Sequence, residues 1–497
     1  LPANPNAANL TFQQGIHVDV SKLPKNRIQM SPRVGFNWDV KGDHTTQIRG
    51  GSGLFAGLAP FVWISNQASN GGTLFSSGTI TTAGDPRLVY NPNVDANRPS
   101  GASAANTSYE LDVTDPKLKL PKILRTNVAI DQQLPFGIIG TVEASYTKDI
   151  NAIYTENLVL SDGYTTIPGA EGQIRYDNKN TTANGQPISA TNPSISGLYY
   201  LTNTNKGYSY FVTGQLQKSF SNGFYANVAY THTVSKDVND GGSTASSVWS
   251  GRPVSGDPNG QNLSNSSYVM PNRFIASLAY RKEYAKNYAT SIGIFFEAAN
   301  NGAVSYTTNG GGTGIGDINN DGVNNDLMFI PKNKGDIKLV PDFTGDPRTA
   351  DQLWSELNAF INQDKYLSKH RGEFAQRNGA ILPYFNRADL NITQDFFVKS
   401  GKDRTTKNTI RVEFNMINIG NFLNKDWGLY ENSFTGFNSG SVAVLTYKGI
   451  DPATKQATYS FPFLDKNKLI PVTSSTKVNT DQISRWQAQI SVRYIFN

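Results

Sequence analysis

The chain has 497 residues, of which 38% are hydrophobic and only 17% charged, with a net charge of +6 and no cysteine. The missing cysteine excludes a disulfide framework, a thiolate metal site and a cysteine nucleophile. A charge this mild, without a basic block, gives no reason to expect nucleic acid as a partner, and no run of about 18 apolar residues exists to form a membrane helix.

The elements read in chain order are strands. Segments 28–40 and 45–56 flank a short turn at Lys41-Gly42-Asp43, and 122–134 and 138–150 flank Pro135-Phe136-Gly137. In 207–220, Tyr208, Tyr210, Val212, Leu216 and Phe220 fall on one face, opposite Ser209, Thr213, Gln215 and Gln217. After Ser221-Asn222-Gly223, segment 223–236 repeats the pattern with Phe224, Ala226, Val228, Tyr230 and Val234 against Asn227, Thr231, Thr233 and Ser235. Then come 272–283 and 287–299. In 386–398, Leu390, Ile392, Phe396 and Val398 oppose Arg387, Asp389, Asn391 and Thr393. In 407–420, Ile410, Val412, Phe414 and Met416 oppose Thr409, Arg411, Glu413 and Asn415. Further segments are expected at 441–449, 456–463 and 484–497, the last with Trp486, Ala488, Ile490, Val492, Tyr494 and Phe496 on one face.

A strand that crosses a bilayer takes about 9–11 residues, with one apolar and one polar face. About thirteen such segments are counted here. Between the hairpins lie long polar stretches, roughly 59–120, 151–206, 237–271, 300–385 and 421–440. Short turns at one end and long loops at the other are the asymmetry of a transmembrane antiparallel β-barrel. All-β is therefore the expected fold class, with residues 1–497 forming the C-terminal part of one barrel domain. The first and last segments would both descend toward the short-turn side.

Within the longest loop, 349–364 reads as a helix, opened by a capping box from Thr349 to Gln352. Leu353, Trp354, Leu357, Phe360 and Ile361 form its apolar stripe. That stripe would serve either in a lid over the barrel mouth or in packing the loop on itself.

The chemistry-bearing motif is Asp317-Ile318-Asn319-Asn320-Asp321-Gly322-Val323, continuing to Asn325 and Asp326. Asp317, Asn319 and Asp321 alternate so that their oxygens can converge, Gly322 permits the sharp turn, and Val323 can offer a carbonyl. This is the opening of an EF-hand-type calcium loop. The twelfth position is Met328, so Asp326 would stand in for the missing bidentate Glu, with Asn325 beside it. A structural Ca2+ is the expected ion; an ion-free turn is the competing reading, since Asn, Asp and Gly form turns unaided.

Inward charges at Arg33, Arg49, Arg125, Arg387, Asp389, Arg411, Glu413 and Arg493 would line the lumen, to bind substrate or to pair with a plug; structural pairing is the expected role, since a filled lumen needs every charge satisfied. Trp63, Tyr199, Tyr200 and Trp249 would stack on sugars or peptides, or else pack the loops or anchor at the membrane interface. No catalytic site is expected. His17, His44, His232 and His370 fit no metalloprotease motif, no nucleophile elbow occurs, and the Gly310-Gly311-Gly312 run lacks the Lys-Ser/Thr of a phosphate loop.

Seven ordered blocks resemble the Oar-like subfamily of TonB-dependent receptors. They are Ser31 to Trp38 with Gln47 to Phe55; Pro60 to Gln67; Asp317 to Pro331; Tyr366-Leu367 with Arg371-Gly372; Arg377-Asn378-Gly379; Asn418 to Gly428; and Trp486 through Phe496. The resemblance implies a barrel of about 22 strands around an N-terminal plug, with this chain supplying about the last thirteen. Leu1, with neither a start Met nor a signal peptide, leads to the expectation that the numbering begins inside a longer protein, and the resemblance implies that the plug, the TonB-binding box and a regulatory-like domain lie outside it. It implies the outer membrane of a Gram-negative bacterium, contact with outer-membrane lipid, and the TonB complex as partner through the N-terminal region. A surface lipoprotein or other loop-binding protein is a further expected partner. Uptake of a ligand through a plugged barrel is the first functional expectation. The alternative is a structural, adhesion or secretion-associated barrel without transport, and the third is a soluble β-rich binding protein.

Overall fold

In an extended chain, alternate side chains point to opposite faces, so a long period-two pattern demands neighbours that keep every backbone N–H and C=O paired. The computed structural model supplies them; it describes residues 1–72, 89–93, 95, 109–169, 172–176, 195–310, 316–400, 406–436 and 440–496. Eleven strands follow one another in a single antiparallel meander. They are β1 (Arg33–Asp39), β2 (Thr46–Ala56), β3 (Lys122–Leu134), β4 (Ile138–Asn157), β5 (Tyr208–Ser219), β6 (Phe224–Asp237), β7 (Asn272–Tyr284), β8 (Tyr288–Asn300), β9 (Tyr384–Ser400), β10 (Thr406–Ile417) and β11 (Gln487–Ile495).

Register carries the sequence pattern across the sheet. Leu278 stands beside Ile294, Ile294 beside Leu390, Leu390 beside Met416, and Met416 beside Ala488. One residue away the row is polar, with Asn391 beside Asn415 and Asn415 beside Gln489. The apolar face is not covered by protein: Val142 is 58% exposed, Ile490 72% and Val492 69%. A wide apolar face left bare is foreign to a water-soluble sheet.

The opposite face carries charges joined to one another. Arg49 donates to Asp131 at 2.9 Å and to Glu143 at 3.4 Å. Arg411 grips Asp395 with two bonds of 2.7 and 3.0 Å, and Arg281 reaches the same carboxylate at 3.3 Å. Arg273 pairs with Glu297 at 2.7 Å, and Arg387 lies 3.2 Å from Asp389. Glu413 accepts from Asn391 and Asn415. Arg125 donates to Thr147, and Arg33 lies over the Phe55 ring. Most of these bonds join adjacent strands, so the inward charges act first as internal ties.

Two of the thirteen expected spanning segments are not in this sheet. Residues 440–450 and 457–460 belong to a separate five-stranded sheet, in which Gly440–Ile450 runs parallel to Ala303–Gly310. The physical difference is burial: all four residues of Ala457–Ser460 are buried, whereas a spanning strand leaves one face bare. The connection between β10 and β11 is therefore a single excursion over 418–486. Removing two consecutive segments leaves the parity unchanged, so β1 and β11 still run the same way.

The helix Ala350–Gln363 forms as its cap predicts. The Thr349 hydroxyl accepts from the Gln352 N–H at 3.3 Å, and the Gln352 side chain accepts from the Thr349 N–H at 2.8 Å. Leu353, Leu357, Phe360 and Ile361 are buried, with Trp354 at the margin. They pack against Met328, Ile330, Val442, Val444, Tyr459 and Phe461, so the stripe closes a core inside the loops.

The short turns impose backbone demands of their own. Gly223 has φ +89°, and a Cβ placed there would sit 2.2 Å from the Arg281 carbonyl oxygen. Replacing Gly223 with Ala is expected to destabilise the β5–β6 turn by about 1–2 kcal/mol through the left-handed backbone alone, and further through the clash. Denaturant unfolding in detergent micelles would read this; a midpoint equal to the wild type's would refute it.

Candidate ligand site in the long loops

All the long connections leave the sheet at one end: 57–121, 158–207, 238–271, 301–383 and 418–486. The opposite end has the short turns 40–45, 135–137, 220–223 and 285–287. The loops are woven into one another. The core around the helix draws residues from 167, from 304 to 382 and from 434 to 472.

The acidic turn sits at the centre of this weave. Asp317, Asn319, Asp321, Asn325 and Asp326 are all buried. The Asp317 carboxylate accepts from the N–H of Asp321 at 2.9 Å and of Gly322 at 2.8 Å. Asp321 accepts from the Val323 N–H at 2.8 Å and from the Asn319 amide at 3.0 Å. Gly322 has φ +98° and Asn320 φ +60°, which these two residue types bear more easily than a branched one would. The side chain of Val323 packs toward Leu160, Tyr176 and Trp249.

Asp326 is fully buried and accepts from the Ile318 N–H at 2.8 Å and the Gln173 amide at 3.4 Å. Burial first, and then the charges of Asp321 and Asp317, hold its carboxyl well above the usual carboxylate range. Among the described residues no three His, Cys, Asp or Glu side chains form a metal-ligating group. The donors nevertheless have the oxygen chemistry of a hard cation, and the buried Asn325 Oδ1 has no partner.

Neighbouring chain is fastened to this turn. Asn325 donates to the carbonyls of Ser250 and Arg252, each at 2.8 Å. Val254 bridges to Asp326, and the Leu327 N–H donates to the Val254 carbonyl at 2.7 Å. Arg175 donates to the Asp317 and Ile318 carbonyls, and Asn320 to that of Tyr176. One acidic turn thus ties three connections together.

The loop aromatics serve packing. Trp63 is buried and donates to the Gly242 carbonyl; Trp249 is buried against Tyr199 and donates to Asn259 Oδ1 at 2.9 Å. Tyr200 packs beside the cluster of Leu111, Leu158 and Leu198. The histidines stay apart: His17 bonds the Leu10 carbonyl, His44 contacts Asp39, His232 contacts Asn272, and His370 stacks on Tyr366. Gly311 and Gly312 lie outside the described residues.

Other loop carboxyls are displaced from ordinary behaviour too, Asp112 and Asp346 among them. Burial, reinforced by Glu110, pushes Asp112 up to about 7 against the opposing hydrogen bond from Asn70. The Arg348 guanidinium pulls Asp346 down to about 2, and the same arginine bonds Glu356 at 2.8 Å.

The chain matches the family described as outer membrane beta barrel domain over residues 2–443. The chain belongs to that family. The bare apolar face of the sheet is thus the face a barrel turns to lipid, and the protein resides in the outer membrane of a Gram-negative bacterium. A soluble binding protein is ruled out. No curated protein matches the chain. Among solved structures it is similar to the outer membrane transporter YddB from Escherichia coli, at 9% identity and a TM-score of 0.36, covering 79% of this chain and 37% of that one. It is similar to a mutant of the ferric enterobactin receptor PfeA from Pseudomonas aeruginosa, at 9% identity and a TM-score of 0.30, covering 78% and 37%. The RagAB peptide transporter is similar at 10% identity and a TM-score of 0.21, covering 93% and 55%. The chain spans less than two thirds of the length of each.

Asn325 and the segment it holds were not singled out by sequence reasoning for their contacts. The partners lie 73 and 75 residues away in chain, and no local pattern marks them. Replacing Asn325 with Ala would leave the Ser250 and Arg252 carbonyls without their donor, at an expected cost of about 1–3 kcal/mol. Limited proteolysis of the loops should quicken in Asn325→Ala while the spanning strands stay protected; equal cleavage rates would show that the tie is idle.

Proposed function

We propose that the protein is a TonB-dependent outer-membrane transporter of the Oar-like subfamily. It takes up a ligand through a plugged barrel, of which these residues form the C-terminal part. The observation that carries the reading is the combination of a lipid-facing strand meander with a large body of woven loops at one end only. Ordered resemblance blocks fall both on strands, at Ser31 to Trp38 and Trp486 to Phe496, and in the loop body, at Asp317 to Pro331. In this reading the loop body faces outward and captures ligand, and the TonB complex acts on an N-terminal region outside this chain. The protein is read as a non-enzyme, with its chemistry limited to binding and gating.

Uptake tests the proposal. Cells carrying the full-length protein are expected to accumulate a fluorescent pool of short peptides or oligosaccharides, and deletion of the TonB box should abolish that accumulation. Uptake undiminished by the deletion would end the transport reading.

A second reading is an outer-membrane barrel for adhesion, structure or secretion, with a surface lipoprotein or other protein seated on the loops. It is favoured by one observation: the loops carry a hydrophobic core of their own, as a docking platform requires. Co-purification of a stoichiometric loop-capping protein, without TonB-dependent uptake, would select it.

We further propose a structural Ca2+ at the acidic turn. Asp317, Asn319 and Asp321 would hold it by side-chain oxygens and Val323 by its carbonyl, with Asn325 and Asp326 completing the set. The ion would offset the buried negative charge that now crowds Asp326. Adding millimolar Ca2+ to chelator-treated protein is expected to raise the thermal midpoint, and Asp317→Asn should remove that response. A midpoint indifferent to Ca2+ and chelator alike would reject the ion.

A further inference from the structure

The lipid face of the sheet is not uniform. Strand register puts Lys148 of β4 and Lys236 of β6 on either side of Tyr208 of β5, in one row. Directly paired residues of an antiparallel sheet point to the same side. Tyr208 shares its side with Tyr210, Val212 and Leu216, which are exposed. Both lysines therefore stand on the lipid face, at the end from which the long loops leave. That end is extracellular in a barrel of this kind. Among the described residues neither ammonium has a hydrogen bond or an ion pair; Lys148 acts through space on Asp149, and Arg377 on Lys236.

The rest of the meander lacks such a pair. The outward places nearest the loops on β7 to β11 hold Phe274, Ala298, Asn386, Met416 and Ala488, none of them a cation.

Below the lysines the same three strands carry a notch. Six residues along each strand (148 to 142, 208 to 214, 236 to 230) the row reads Val142, Gly214, Tyr230, and its middle member has no side chain. A groove of about 620 Å³ opens there, lined chiefly by outward residues, with Ile130, Leu216, Val228 and Phe274 around Gly214. A Cβ placed on Gly214 meets nothing within 4 Å. Six residues of strand rise about 20 Å. At a tilt of about 40° that is roughly 15 Å of depth, or half the hydrocarbon core. The distance from the lysines to the notch is thus the depth of one leaflet.

We propose that this strip of β4 to β6 binds one lipid of the outer leaflet whose headgroup bears a phosphate monoester. The phosphate lies between the Lys148 and Lys236 ammoniums above Tyr208, and one acyl chain descends to the groove at Gly214. A phosphate monoester carries close to two negative charges at neutral pH, which two lysines match; a phosphodiester, with one charge, matches them less well. The two lysine Cα atoms are about 10 Å apart, across two strand spacings, within reach of two long, flexible side chains closing on one anion. Lysine suits that role because its ammonium binds phosphate as a compact point charge. The site stands on the lipid face alone and does not require that the protein transport anything.

The test is native mass spectrometry of the full-length protein in detergent, with lipid A as probe because it joins phosphate monoesters to acyl chains. Lipid A is expected to bind at least about tenfold more tightly than the same lipid stripped of its phosphates, the effect of two lysines near an anionic headgroup. Phosphatidylglycerol, a phosphodiester, should bind like the stripped lipid, and inorganic phosphate at the same concentration should not displace lipid A. Lys148→Ala with Lys236→Ala should abolish the preference for phosphate. Gly214→Leu, which fills the groove, should weaken lipid A severalfold. Lys218→Ala with Lys282→Ala, on the same face at the turn end, should change nothing. The comparison of lipid A with its stripped form uses the unaltered protein and stands whatever the variants do to folding. Equal binding of those two, equal binding of phosphatidylglycerol, or displacement by inorganic phosphate would overturn the proposal. So would undiminished binding by the Lys148/Lys236 variant or by Gly214→Leu, or an equal loss in the turn-end variant. None of these outcomes depends on uptake, so loss of the transport reading would leave the result intact.

Discussion

The antiparallel backbone ladder is the constraint from which everything else in this protein follows. A strand in lipid has no water to satisfy its N–H and C=O groups, so each must find a partner on the next strand. Once paired, the ladder leaves no freedom in side-chain direction: Ile294 faces the same way as Leu278 and Leu390, and Asn391 the other way with Asn415. A slip of one residue in any pair would turn a lipid-facing row into the lumen and a polar row into oil. The ion pairs of the lumen add a second reason for the same register, because Arg49 reaches Asp131 and Glu143 only when β2, β3 and β4 are aligned as they are.

That constraint explains what could be read from sequence and what could not. Eleven spanning strands were legible because each has to display oil on one side and water on the other over its length. Segments 441–449 and 456–463 share the period of two but live in a different environment. Gly440–Ile450 pairs parallel with Ala303–Gly310, its register shifting at Thr307 and Thr308, and Ala457–Ser460 is buried on both faces. Period alone does not distinguish a strand in lipid from one buried in a loop body. The helix from Ala350 to Gln363 was legible for a local reason, since Thr349 and Gln352 satisfy each other's backbone.

The site is legible only in part. The run from Asp317 to Asp326 announces a tight, oxygen-rich turn, and that turn exists. Its ties to Ser250, Arg252 and Val254 join residues more than 70 positions apart, which local spacing cannot encode. The aromatics Trp63 and Trp249, open to either a ligand or a packing role on sequence grounds, are committed by their indole N–H bonds to Gly242 and Asn259.

The parallel pairing of Ala303–Gly310 with Gly440–Ile450 has a bearing on assembly. Its two members follow β8 and β10, more than 130 residues apart. The pairing therefore rests on a contact of long sequence separation, which local structure in neither connection can supply by itself. The sheet of the loop body depends on the hairpins that bring its members side by side, so the crown takes its alignment from the spanning ladder.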